Sequence, residues 1–539
     1  RDNKLRSTGI STVDKVLKRY ELVSIDRLCP NDDPKRELRS SKSYNGGDVV
    51  ERDLSRLCLV KINAPADKAG QPEFDIRTLT DNLIEEFNAM DEVEFAEPNY
   101  IAYSLGMPIA NSEQPTAEDD RDPDYNYFAY KTYRKEPYYS QQWGISATNI
   151  DELWRMCEED AEHYENHSTD RAVIAILDTG VDIEHPDLAD NIWTNPNEIA
   201  NNSDDDGNGY KDDLHGYDFV NKTATIDDYN GHGSHCAGII AAVGDNGIGV
   251  VGANPKTCIM PVTVMQSNGT GSISTIIEGI SYAKDNGADI ISMSIGTYAY
   301  SIALEQVLAQ AYQNSVLVAA AGNDGLNIDE TALCADPYII DMPMYPAAFT
   351  FVLGVQATME LEDGSYALAP FSNYDCDGPS FSAYSEEQLY NYELQAPGVG
   401  IVSTVQNGNY KYLNGTSMAC PLVAGGISAL LHAKPYASQE MLWGDLINTS
   451  GANVDFEACY NAGPAPAQLQ MVTYELNDTE EGDGDLRPDA GETMLFYPTL
   501  RTTWGAAEDI TYWIEFAEYE DETTIDFISN DNIDFGHNL

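Results

Sequence analysis

The chain has 539 residues, of which 42% are hydrophobic, enough for two to four separately cored domains rather than one. Its 30 basic and 89 acidic residues leave a net charge of -59, which excludes a nucleic-acid binder, whose footprint must be basic. No run of 18 or more apolar residues occurs, so no segment is expected to span a membrane. Nine cysteines without CxxC pairs argue against zinc, and their odd number leaves at least one thiol unpaired unless it pairs with another chain. Cys334 and Cys376 lie in loop-like stretches open to a disulfide. Cys236 and Cys420 read as small apolar packing residues.

In chain order, residues 1–105 predict a small α+β unit. A helix is expected over Thr12–Tyr20, with Val13, Val16, Leu17 and Tyr20 on one face, and a strand over Leu57–Ile62. A second helix is expected over Thr78–Met90 and a last strand over Val93–Tyr103, interrupted at Pro98. Residues 106–125, with Pro108, Pro115, Pro123 and an acidic run, read as an exposed linker. Over 126–465 strands at 173–178, 259–265, 289–294, 315–321 and 350–356 alternate with helices at 233–243, 273–286 and 301–314, which predicts a mostly parallel sheet covered on both faces. From 466 to 539 the stretches Met471–Leu476, Thr493–Leu500 and Asp509–Phe516 alternate in polarity, as strands of a β-sandwich do, and the set of strands is incomplete.

Three short segments carry chemistry. Asp178 ends an apolar run just before Thr-Gly, where α/β proteins place functional groups. His232 is flanked by two glycines at the start of a small-residue helix, and Ser417 begins a second apolar helix. Taken singly, they read as a turn residue, a structural hydrogen-bonder and a helix cap. Taken together, they make a nucleophile, the base that activates it and the acid that orients the base. Asn323 follows the apolar run 316–321 and Gly322, and an amide donor there can join the Ser417 N–H in holding an oxyanion.

Asp-Thr-Gly, Gly-His-Gly-Ser-His and Gly-Thr-Ser-Met-Ala resemble the signatures of the subtilisin-like serine proteases (subtilases), in the Asp, His, Ser order of that family. The resemblance covers about 340 residues. It implies an α/β fold with a parallel sheet of about seven strands between helices. It implies Ser417 as nucleophile, His232 as general base and acid, Asp178 as orienter and Asn323 as oxyanion donor. Ser294, Ile295 and Gly296 resemble the strand that pairs with substrate backbone, and Gly269, Thr270 and Gly271 the opposite wall of the cleft. Glu94–Tyr103 resembles the end of the family's ferredoxin-like inhibitory propeptide, although its opening strand is not evident here. This implies a zymogen, a processing site within about 103–125, and the chain's own propeptide as inhibitor. The chain opens at Arg-Asp-Asn-Lys, as a processed product would, and the enzyme is expected outside the cytoplasm.

Calcium is the expected ion. Asp204, Asp206, Asn208, the Tyr210 carbonyl and Asp213 follow the start of a calcium loop, without the closing Glu of an EF-hand. The family resemblance implies a second site at Asp187, Asn246, Ile248 and Val250. A third candidate spans 483–492. Two alternatives to an endopeptidase stand: a peptide ligase or cyclase sharing the acyl-enzyme, and a non-catalytic binding protein.

Overall fold

The computed structural model describes residues 4–5, 7–20, 22–36, 38–43, 48–63, 76–108, 136–159, 171–328, 343–375, 392–434, 439–462, 468–477 and 495–503. The chain divides into two compact units, Arg1–Tyr436 with Leu446–Tyr460, and Ala437–Asp445 with Asn461–Leu539.

The first hundred residues bury one face of the helix Ser11–Arg19 (Val13, Val16, Leu17) together with Leu83 and Phe87 of the helix Ile76–Asn88. Beneath them is an antiparallel sheet ordered Lys4–Leu5, Leu22–Arg27, Cys58–Ile62. The opening strand that the sequence left unclear is thus the two-residue Lys4–Leu5. The central strand Leu22–Arg27 has only Ile25 buried, which leaves too little alternation to signal it. The strand expected over Val93–Tyr103 is shorter than read, with only Ile101–Ser104 extended and paired. Pro98 cannot donate to a ladder, and the side chains of Glu97 and Asn99 are engaged at helix ends instead.

Among the described residues the central sheet has eight strands, where about seven were expected. Its order is Tyr366–Leu368, Leu353–Glu360, Val316–Ala320, Ile290–Met293, Val173–Asp178, Cys258–Thr263 and Tyr217–Asp218, with Leu394–Pro397 also paired to Leu353–Glu360. All pairings are parallel except that of the edge strand Tyr366–Leu368. Helices cover both faces, so the inner strands are mostly apolar: Ile174, Ala175, Leu177, Ile290 and Val318 are fully buried. The helix Thr416–Ala433 is the one described helix long and apolar enough to cross a membrane, and 83% of it is buried inside the fold.

In the second unit, Gln468–Asn477 pairs antiparallel with Leu495–Thr503 through a bulge at 471–473. The expected strand Asp509–Phe516, the ion candidate 483–492, Cys334 and Cys376 lie outside the described residues.

Candidate active site

Asp178 closes its strand with a doubly used backbone: its carbonyl accepts from Val264 and Met265. Its Oδ1 takes the Thr179 N–H at 2.7 Å and meets His232 Nδ1 at 2.7 Å. His232 sits at the first position of the helix His232–Ala241, whose cap Gly231 has φ 95°. Gly233 has no room for a side chain, because a Cβ there would overlap the Gly180 carbonyl oxygen. That close approach is what lets the imidazole reach Asp178. Both are almost completely buried. Burial disfavours the imidazolium, but the Asp178 charge and hydrogen bond outweigh it and hold the His232 pKa above the ordinary value of 6.5. His232 Nε2 has no hydrogen-bond partner among the described residues.

Asp228 organises this corner and was not picked out from the sequence. It is buried. Its Oδ1 accepts from Thr179 Oγ1 and the Gly231 N–H, and its Oδ2 from the Ser234 N–H and hydroxyl. One carboxylate therefore ties the Asp178 turn to the start of the His232 helix. Its signal in sequence is only its place four residues before the histidine.

Ser417 is the second residue of Thr416–Ala433. Pro421 has no N–H, so the Ser417 carbonyl loses its helical donor. It accepts instead from Ser294 Oγ at 3.0 Å and Cys236 Sγ at 3.4 Å. The Ser417 hydroxyl donates to the Ser294 carbonyl at 3.0 Å rather than to His232. Asn323 is fixed through its Oδ1, which accepts the Thr416 N–H at 2.9 Å and hydroxyl at 3.0 Å. Its Nδ2 is thereby aimed away from the helix. The Gly322 N–H donates to the Thr416 hydroxyl, joining the same cradle.

The chain's own residues 101–108 lie across this cradle. Ile101–Ser104 is the middle strand of an antiparallel sheet between Thr270–Ser272 and Ile295–Gly296, in register Thr270 to Tyr103, Gly271 to Ala102, Ile295 to Ser104 and Gly296 to Tyr103. The Ser104 N–H donates to Gly269 O at 2.9 Å and the Leu105 N–H to Ser294 O at 3.1 Å. The Leu105 side chain is buried beside Gly296 and Met344, and its carbonyl accepts from Asn323 Nδ2. A Cβ on Gly106 would overlap the His232 imidazole. Met107–Pro108 then pairs with Leu413 and Asn414 on the far side. Of the expected linker 106–125, only these first residues are described, and they run through the cleft.

Two further carboxylate clusters stand in the same compact unit. Asp204 and Asp206 come together with Glu198, each offering an oxygen within 4.8 Å of the others. Asp213 is hydrogen-bonded into the same group by Asn208 Nδ2 and Asn195 Nδ2. The Tyr210 N–H donates to Asn208 Oδ1, while the Tyr210 ring packs tilted against Tyr217 and edge-on against Tyr282. Asp204 Oδ1 and Asp213 Oδ1 are buried without a hydrogen-bond donor among the described residues. Burial pushes the Glu198 and Asp213 carboxyls above their ordinary values. Crowded acidic oxygens with orphaned lone pairs suit a hard cation. Glu198 falls outside the Asp-x-Asp-x-Asn-Gly frame, which is why the loop pattern did not reveal it.

In the second cluster Asp187 accepts from Asn246 Nδ2 and the Val250 N–H, and the Ile248 N–H donates to Asn246 Oδ1. Tyr410 also donates to Asp187. Glu136, unmarked in the sequence, joins through the Gly247 N–H, and its Oε1 is buried without a partner among the described residues. Burial raises the Glu136 carboxyl to about 7 and that of Asp187 to about 6.

The sequence model of the subtilase family, peptidase S8, matches residues 169–483. A thermophilic serine proteinase of Bacillus sp. (strain AK1) is 32% identical over 365 residues, covering 68% of this chain and 67% of that protein. A cell wall-associated protease of Bacillus subtilis (strain 168) is 34% identical over 286 residues, 53% of this chain and 26% of the relative. The major intracellular serine protease of the same organism is 36% identical over 259 residues, 48% and 67% of the two chains. The chain belongs to the subtilase family. It has the family's α/β fold and is a serine endopeptidase, a hydrolase acting on peptide bonds.

Proposed function

We propose that Ser417, His232 and Asp178 form the triad, that Asn323 Nδ2 holds the oxyanion, and that the enzyme is made as a zymogen whose first substrate is its own Leu105–Gly106 bond. One observation carries the zymogen reading: residues 101–108 pass through the cleft in register, with the Leu105 carbonyl on Asn323 and Gly106 against His232. Rotation of the Ser417 hydroxyl off Ser294 toward the partnerless His232 Nε2 starts the reaction. Ser417 Oγ bonds to the Leu105 carbonyl carbon as its proton passes to Nε2. Asn323 steadies the oxyanion, a contribution of about 3 kcal/mol. The C–N bond then breaks as His232 gives that proton to the Gly106 nitrogen. Water, deprotonated by the same imidazole, releases Leu105 as a carboxylate and restores Ser417.

On this reading residues 1–105 are the inhibitory propeptide, and the catalytic domain spans the matched region with its flanks. Extended protein or peptide segments take the place of 101–108, held between Ser294–Gly296 and Gly269–Gly271 by backbone pairing. For a location outside the cytoplasm the relatives divide: the cell wall-associated protease supports it and the intracellular serine protease of the same organism does not. Calcium in the cluster of Glu198, Asp204, Asp206, Asn208 and Asp213 would neutralise its charge and hold the loop, a structural role. The second cluster, around Asp187 and Glu136, is a further candidate. Fluorophosphonate labelling tests the triad: mature protein should be modified at Ser417 and the Ser417→Ala variant not at all. Mass analysis of products separates hydrolysis from ligation, with free carboxylates expected. Labelling that survives the substitution would overturn the assignment.

A further inference from the structure

The strands Leu22–Arg27 and Cys58–Ile62 are antiparallel neighbours, which a turn of about two to five residues can join. Residues 28–57 join them instead. Much of this insertion is a folded body. The Leu28 N–H donates to Leu57 O at its neck, and Leu28, Cys29, Val49 and Leu54 are buried. Arg36 binds the buried carboxylates of Asp32 at 3.0 Å and Glu51 at 2.7 Å.

Its outer edge grips the catalytic unit away from the cleft. Gln310 Nε2, on the helix Ile302–Tyr312, donates to Arg52 O at 2.9 Å and Asp32 Oδ1 at 3.3 Å. Gln313 Nε2 donates to Ser41 Oγ at 2.9 Å, and Arg39 to Asn314 Oδ1 at 3.4 Å. Asn31 Nδ2 reaches the Asn208 carbonyl at 2.8 Å. The opposite end of the same helix is held by Glu97, whose carboxylate accepts from the Ile302 and Ala303 N–H groups and the Ser301 hydroxyl. Residues 1–105 therefore hold this helix at both ends.

We propose that the insertion 28–57 is a second binding footprint, separate from the cleft, that keeps the propeptide on the enzyme after its bond is cut and sets the rate of its release. The proposal rests on the zymogen reading above. Once Leu105–Gly106 is broken, the strand 101–105 is a short product peptide. The insertion belongs to the same folded body, so each footprint holds the other at high effective concentration, and release requires both to let go.

The test uses the full chain. Self-cleavage is followed by mass, retention of the 1–105 fragment by size-exclusion chromatography, and onset of peptidase activity in the same sample. In Gln310→Ala/Gln313→Ala, loss of several interface hydrogen bonds should speed fragment release by about tenfold or more, since interface changes act mainly on dissociation. Cleavage at Leu105–Gly106 and kcat/KM of the fully released enzyme should not change. Asn31→Ala/Arg39→Ala, altered on the insertion alone, should act in the same direction. Release within twofold of the parent in both variants overturns the proposal. So does a parallel fall in kcat/KM, which would mark a merely structural role. Failure of the parent chain to cleave at Leu105–Gly106 would instead overturn the zymogen reading.

Discussion

The Leu105 amide N–H and the Ser417 hydroxyl donate to the same acceptor, the Ser294 carbonyl oxygen, at 3.1 and 3.0 Å. The proposed nucleophile and the residue proposed to precede the cut bond are thus positioned against one backbone atom. Asn323 touches the Leu105 carbonyl from one side and His232 faces Gly106 from the other.

The space at Gly106 makes self-processing sensitive to this one residue. A Cβ there would overlap His232, and the displaced imidazole would lose its 2.7 Å contact with Asp178. Gly106→Val should slow the cut at 105–106 by a factor on the order of a hundred, as misplacement by about 1 Å does. An electrophoretic time course of the precursor reads this directly, and processing at the parent rate would contradict it.

Asn323→Ala removes a donor while sparing the backbone that binds substrate. The expected result is a fall in kcat of about a hundred- to a thousandfold with KM within a few-fold, the size such a donor carries in a subtilisin. Steady-state kinetics on a peptide substrate provide the check. A loss confined to KM would show that the amide binds the ground state instead.

How much of this was legible in the sequence follows from where each signal lies. Asp178, His232, Ser417 and Asn323 stand in short motifs whose glycines and small residues are local necessities of close packing, so the set is legible once the motifs are read together, though each alone has a bland structural reading. Glu198, Glu136 and Asp228 could not, because their roles come from partners brought near by the fold: Asp205, Gly247 and Thr179. The buried strands of the parallel sheet were readable as apolar runs. Leu22–Arg27, with one buried residue, was not, and 93–100 was over-read as strand because Glu97 and Asn99 serve helix ends instead. The insertion 28–57 carried no periodicity to reveal its docking on Gln310.

The pH profile follows from His232. As the proposed general base His232 must be neutral, and its pKa is held above 6.5 by Asp178 against the opposing effect of burial. Activity should therefore fall as pH drops through that raised value, placing the acid limb of kcat above pH 6.5. Removing the carboxylate in Asp178→Asn should move the limb to lower pH while cutting kcat by about 10⁴. A limb well below pH 6.5 in the parent enzyme would count against this coupling.

Calcium removal should destabilise the fold near neutral pH. The ordinary carboxyl values of Glu136 and Asp187, 4.5 and 3.8, rise to about 7 and about 6. Each group binds more protons folded than unfolded, so without a cation stability declines as pH rises from about 4 to 7. A cation reverses this by favouring the ionised forms. At a hundredfold excess over its Kd, calcium should add about 2.7 kcal/mol per site at pH 7. Calorimetry with and without EDTA provides the measurement, and Glu198→Gln should shrink the calcium-dependent rise in Tm. An unchanged Tm in excess EDTA would remove the calcium proposal.

The central claim is that Ser417 cuts the bond lying in its own cleft. Full-length precursor, purified as wild type and as Ser417→Ala, should be incubated and its fragments identified by intact mass and N-terminal sequencing. The account predicts a new N-terminus at Gly106 in the wild type, and uncut precursor in Ser417→Ala, where such catalysis falls by a factor on the order of a million. A first cut at another bond, or the same cut in both proteins, would contradict it.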